Sequence, residues 1–138
     1  MSEGEAEPEA VVRRLWDAIN DRDYTSVADA IAEECKWVSI GGGRTVIGPE
    51  AMVLGLLKFA EAFPDGRGEI LNLVASGETV VVEWIVRGTN AGPYDGRPPT
   101  GRKFARRGCS VAEVEGGKIV GYRDYFDRQT LTEQLGLT

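Results

Sequence analysis

Asp124 stands between two aromatic residues in the stretch Gly117-Lys118-Ile119-Val120-Gly121-Tyr122-Arg123-Asp124-Tyr125-Phe126-Asp127. Gly116-Gly117 supply a tight turn, because glycine takes positive φ without steric cost. Ile119 to Phe126 is a β-branched and aromatic run that suits a strand. Side chains alternate along a strand, so Tyr122, Asp124 and Phe126 share one face. If that face lines a cavity, desolvation raises the Asp124 pKa and makes it a candidate acid or base. If the face is on the surface, Asp124 pairs with a neighbouring arginine. Both readings stand at this point.

The chain has no histidine. That excludes a Ser-His-Asp triad, a Cys-His dyad and most zinc sites. Acid–base chemistry then falls to carboxylates, tyrosine, lysine or water. Cys35 and Cys109 lie far apart, without metal-ligand spacing. Both read as buried small hydrophobes, and neither a metal nor an organic cofactor is expected.

Lys103 to Glu115 reads as a strand, with Phe104, Arg106, Gly108, Ser110, Ala112 and Val114 on one face. The apolar end of that set marks the concave side, which brings Arg106 near Asp124. A buried arginine needs a partner, so an Arg106–Asp124 ion pair is expected. Such a pair lowers the Asp124 pKa and keeps it a carboxylate, or serves only as a structural tie. Gly108 suggests a bulge or bend, which would turn Arg106 outward. Trp16, Trp37, Phe59, Phe63, Trp84 and Phe126 either line a pocket for a flat polycyclic or terpenoid ligand or fill a core. Tyr24 and Tyr122 are candidate donors to a substrate oxygen.

The elements that must position these groups are readable in outline. The length of 138 residues suits one domain. Apolar residues make up 42% and charged residues 28%, as in ordinary globular chains. A net charge of −6 argues against nucleic acid as a partner. No long apolar run or leader pattern is present, so no membrane association and a cytoplasmic location are expected. Residues 1–8 read as a disordered acidic tail, with Pro8 able to sit in a first helical turn. Glu9 to Asn20 has helical spacing. A second helix, capped by Asp23 or Thr25, runs to about Ala32. Cys35 to Ile40 is a short strand, and Gly41-Gly42-Gly43-Arg44 a turn. Gly48-Pro49-Glu50 opens a third helix that is apolar on most of its surface, so it is buried on several sides or covers a cavity. Glu69 to Ser76 and Thr79 to Arg87 form a hairpin, with Val80, Val82, Trp84 and Val86 on one face. Asn90 to Arg102 is a loop or lid-like excursion. Thr130 to Leu137 is a short helix. The order of elements implies an α+β domain: a curved sheet with helices on one face.

Two sets of residues carry a resemblance. Gly92-Pro93-Tyr94-Asp95-Gly96-Arg97-Pro98-Pro99-Thr100-Gly101-Arg102, with Gly117-Lys118-Ile119-Val120 and Gln134-Leu135-Gly136, resembles the SnoaL-like polyketide cyclases. Leu15-Trp16-Asp17-Ala18-Ile19-Asn20 and Gly121-Tyr122-Arg123-Asp124-Tyr125-Phe126-Asp127 resemble the limonene-epoxide-hydrolase group. Both belong to the nuclear-transport-factor-2-like superfamily. The resemblance implies a curved mixed or antiparallel sheet forming a cone around an apolar pocket, covered by N-terminal helices. Residues 9–138 then form a single SnoaL-like domain, a cystatin-like α+β barrel. A homodimer through the open sheet face is also implied. The fold hosts many reactions and inert binding modules.

In the epoxide hydrolases the aspartate matching Asp124 is the general base that holds water. Their Arg-x-Asp pair falls here at Trp84 and Val86, and their water-holding tyrosine and asparagine at Trp37 and Ser39. These departures count against epoxide opening. In the SnoaL-like cyclases an aspartate late in the sheet is the acid–base group, matching Asp124 or Asp127, and alternation favours Asp124. The expected function is therefore carboxylate acid–base catalysis on a small, apolar, oxygenated molecule, as in a polyketide cyclase or isomerase. Asp124 is the catalytic residue, and Arg106, Asp127 and Tyr122 are candidates for a pair or second acid–base group. Trp16, Trp37, Ser39, Phe59, Trp84, Val86 and Phe126 are the candidate substrate contacts. The alternatives are water addition to an epoxide and a non-catalytic ligand-binding or interaction module.

Overall fold

A computed structural model describes residues 7–137. Residues 1–6 of the expected tail lie outside the described residues. Pro8, assigned to that tail, instead opens helix α1 (Pro8–Asn20). Proline suits the place because a first-turn N–H has no helical partner. Val11, Val12, Leu15 and Ala18 form the buried stripe of α1. Helix α2 (Tyr24–Ala30) is capped by Asp23, whose side chain accepts from the Ser26 N–H. It stops short of Ala32, because Ile31 turns extended and begins strand β1 (Ile31–Ser39).

The glycine turn leads into a strand that the sequence reading lacks, β2 (Arg44–Ile47), antiparallel to β1. Four residues are too few to show an alternation. Helix α3 (Gly48–Ala62) follows, then β3 (Arg67–Ser76), β4 (Thr79–Thr89), β5 (Lys103–Glu115), β6 (Lys118–Phe126) and helix α4 (Arg128–Leu135). The six strands form one curved, unclosed sheet in the order β2-β1-β6-β5-β4-β3. Only β1 and β6 pair in parallel, so the sheet is mixed and the fold is α+β.

The concave face of the sheet takes Val80, Val82 and Trp84 from β4, Ala112 and Val114 from β5, and Ile119 and Tyr122 from β6. These pack with the apolar stripe of α1 and with Val27 of α2. Helix α3 is not buried on several sides. Met52, Val53 and Leu56 turn toward the core while Leu54 and Leu57 stay exposed.

Gly108 makes no bulge: the β4–β5 register runs through it unbroken, and the β5–β6 pairing begins at it without a shift. Its purpose is close approach. A Cβ there would collide with the Trp84 ring and come within 2.8 Å of the Tyr125 carbonyl oxygen. The alternation of β5 is therefore regular from Phe104 to Ala112, and Arg106 keeps the inward face.

The loop between β4 and β5 is held at its base by Asn90, which is fully buried. The Asn90 Oδ1 accepts from the Thr100 N–H at 3.0 Å and from its Oγ1 at 3.1 Å, and Nδ2 donates to the Gly92 carbonyl at 2.8 Å. Tyr94, further along, packs against Phe63. Among the described residues no helix is long and apolar enough to cross a membrane. Asn90→Ala strips three hydrogen bonds from a buried position. We expect a loss of about 2–3 kcal/mol in urea unfolding; an unchanged midpoint would show that the loop base carries no stability.

Candidate active site

Asp124 reaches the concave face from the middle of β6, with β1 and β5 as its neighbours. Trp37 of β1 donates its indole N–H to Oδ2 at 2.7 Å. Ser110 of β5 donates its hydroxyl to Oδ1 at 2.5 Å. Ser110 in turn accepts from the indole N–H of Trp84 on β4 at 2.7 Å. These lengths are those of hydrogen bonds to a charged acceptor. Burial nevertheless pushes the Asp124 pKa above the ordinary carboxylate value. Ser110, Trp37 and the charge of Arg106 oppose that rise without cancelling it.

Tyr122 stacks flat on Trp37, with centroids 3.8 Å apart, and its hydroxyl accepts from the Trp16 indole at 3.1 Å. Burial first, and the Asp124 charge second, drive its pKa far above that of a free tyrosine. Tyr122 thus keeps its proton and is a hydrogen-bonding group rather than a base. Trp16 and Trp84 lie against each other, centroids 6.0 Å apart.

A cavity of about 150 Å³ opens over these groups. Trp16, Trp37, Phe59, Trp84, Val86, Arg106, Tyr122, Asp124 and Phe126 all border it. Tyr24 and, from α3, Met52 and Leu56 do so as well. Ser39 does not. It borders a neighbouring recess of about 660 Å³ instead, as do Phe59, Arg106 and Phe126.

Two expectations are corrected by the geometry. Arg106 and Asp124 share the cavity but form no ion pair within 4.0 Å. The guanidinium lies over the Phe126 ring, 4.2 Å from its centroid, and 5.7 Å from that of Trp84. Burial outweighs the Arg106 charge, so the Asp124 pKa rises instead of falling. Asp127 lies outside the cavity. It is exposed and caps α4, accepting from the Gln129 N–H and the Thr130 hydroxyl. The Thr130 bond, chiefly, lowers its pKa, so it is a fixed carboxylate. Cys109 is only half-buried, on the outer face, whereas Cys35 is fully buried.

Ser110 is the member of the site that the sequence did not single out. Its place on the inward face was readable, but its pairing opposite Asp124 is a matter of register. Among the described residues no group of three or more Cys, Asp or Glu could hold a metal ion.

The helices and the curved mixed sheet define a nuclear-transport-factor-2-like fold with a half-buried carboxyl bordering its cavity. The model of the SnoaL-like polyketide cyclases matches residues 9–135, and the chain belongs to that family. It is 28% identical over 128 residues to the aklanonic acid methyl ester cyclase AcmA of Streptomyces galilaeus, spanning 92% of this chain and 89% of that one. IdmH of Streptomyces antibioticus, itself proposed to be a polyketide cyclase, superposes with a TM-score of 0.81 at 27% identity, over 95% of this chain and 99% of its own. AclR of Streptomyces galilaeus, proposed to be a hydroxylase, shares the fold with a TM-score of 0.83 at 23% identity, over 98% and 99% of the two chains.

A carboxyl whose pKa is raised by folding binds protons more tightly in the folded state. Its stabilising contribution is complete below about pH 4, the unfolded carboxylate range, and is lost as pH rises through the folded pKa. Asn at this position keeps the shape, with Oδ1 facing Trp37 and Nδ2 facing Ser110. Asp124→Asn is therefore expected to gain stability over the wild type between pH 4 and pH 8. Thermal melts across that range check it, and a constant difference would mean that Asp124 titrates normally.

Proposed function

We propose that this chain is a cofactor-independent cyclase or isomerase that works next to a carbonyl, with Asp124 as its general acid–base group. The observation that carries this reading is the Asp124 carboxyl itself, desolvated at a cavity wall and held by Trp37 and Ser110. A raised pKa makes the ionised form a stronger base. Asp124 takes a proton from a carbon beside a carbonyl, and the C–H electron pair moves onto the carbonyl oxygen as an enolate. The enolate carbon attacks a second carbonyl of the same molecule, forming a C–C bond. The new alkoxide then takes the proton back from Asp124. Atoms and charge balance with no further reactant. The ring closure named for the Streptomyces galilaeus relative supports this choice.

The ligand is a small, mostly apolar, oxygenated molecule. Trp37, Trp84 and Phe126 position its rings, and Val86 and Trp16 add apolar wall. Water addition to an epoxide is the weaker reading, because it needs an acid for the departing oxygen. Tyr122 holds its proton too tightly and Arg106 is too weak an acid. A binding module without turnover is the remaining alternative.

Wild type and Asp124→Asn are to be screened against activated polyketide-like 1,3-dicarbonyl esters and small epoxides. We expect turnover of the first panel, falling about a hundredfold in the variant, and a wild-type rate that drops as acid protonates Asp124. Equal rates in the two proteins would make Asp124 structural. No turnover, with an apolar probe still bound, would favour the binding module.

We also propose a homodimer through the outer sheet face. That face exposes Val74 and Tyr125 and half-exposes Val81, Ile85 and Val111. Light scattering should return twice the 15.0 kDa chain mass; a monomer would end the claim.

A further inference from the structure

The Arg106 Nε is the one buried side-chain polar atom among the described residues that has no hydrogen-bond partner. A buried donor without an acceptor is costly, and a charged one more so. Among the described residues Arg106 belongs to no ion pair. The carboxyl that shares its cavity is already engaged by Trp37 and Ser110. Phe126 and Trp84 engage the flat face of the guanidinium. Its N–H donors lie in the plane and do not point at either ring.

Arg106 also borders both the inner cavity and the outer recess. A molecule that extends from one into the other passes the guanidinium. The recess carries Arg44, Lys58 and Arg128 as well, against Glu61 and Asp95. The site is therefore richer in cations than a chain of net charge −6 would suggest.

We propose that Arg106 is the oxyanion-binding residue of this site, and that it receives the two oxygens of an enolised 1,3-dicarbonyl on two coplanar N–H donors of its guanidinium. Two parallel N–H groups match two coplanar oxygens that share one charge. The inference rests on the acid–base reading for the proton that Asp124 removes. Loss of that proton from the carbon between two carbonyls spreads its negative charge over both oxygens. A donor pair already in place stabilises that charge as it forms. An isolated ketone offers one oxygen and gains less, so the site selects the 1,3-dicarbonyl class.

The test is calorimetric binding of 1-phenylbutane-1,3-dione and 1-phenylbutan-1-one, which differ by one carbonyl. It is run on wild type, Asp124→Asn, and Arg106→Met and Arg106→Lys, each checked for folding by circular dichroism. We expect the dione to bind at least about tenfold more tightly than the monoketone in the first two proteins. Arg106→Met should bring the two ligands nearly level, weakening the dione far more than the monoketone. Arg106→Lys, a point charge without the fork, should keep only part of the preference. A dione preference that survives in Arg106→Met, or that is absent from wild type and Asp124→Asn alike, overturns the proposal. If Arg106→Met does not fold, Arg106→Lys decides: a reduced preference supports the fork and an undiminished one rejects it. Binding to Asp124→Asn is read without turnover. A dione preference with no catalysis would thus refute the enzyme reading alone, and catalysis with no preference would refute this one alone.

Discussion

The hydrogen-bond chain from Trp84 through Ser110 to Asp124, closed from the other side by Trp37, ties four adjacent strands to one carboxyl. It crosses the sheet from β4 to β1 at right angles to the chain direction. Backbone ladders already hold these strands together, so the side-chain links do something else. They fix where each large indole lies, and the indoles in turn set the shape of the cavity. Removing water from a carboxyl is expensive, and a few well-placed donors make it tolerable without making it comfortable. That residual discomfort is the source of the raised proton affinity at Asp124.

A site without histidine handles protons under tight restrictions. An indole N–H donates and never accepts, so Trp16, Trp37 and Trp84 can orient neighbours but cannot carry a proton away. Tyr122 holds its proton too strongly to exchange it at neutral pH. Ser110 can reverse the direction of its bond but is no reservoir. A proton on Asp124 therefore has one useful destination, the bound molecule. Such closure favours reactions that return the proton to the molecule it came from.

Much of this arrangement was legible in the chain. Alternation alone placed Tyr122, Asp124 and Phe126 together and gave Arg106 its inward face, because the period of a strand is local and needs no partner to be read. What failed depended on distances between strands. The Arg106–Asp124 ion pair was inferred from sharing a face, yet aromatic rings took the arginine instead. Ser110 escaped notice because only the β5–β6 register sets it opposite Asp124. Gly108 suggested a bulge or bend when it is a gap left for the Trp84 ring, a packing demand from another strand. Asp127 was weighed as a site residue because it is acidic and close in sequence, but a strand that ends two residues before a helix turns that carboxylate into a cap. β2 is simply too short to leave a pattern.

All three tryptophans of the chain border the cavity. No indole lies elsewhere, so the tryptophan fluorescence of the folded protein originates at the site alone. Each ring also sits beside a group able to quench or shift it: a carboxyl at Trp37, a phenol at Trp16 and a guanidinium at Trp84. A molecule that enters, or a proton that binds Asp124, is therefore placed to change the light the protein gives off, and the chain carries its own optical reporter without a label.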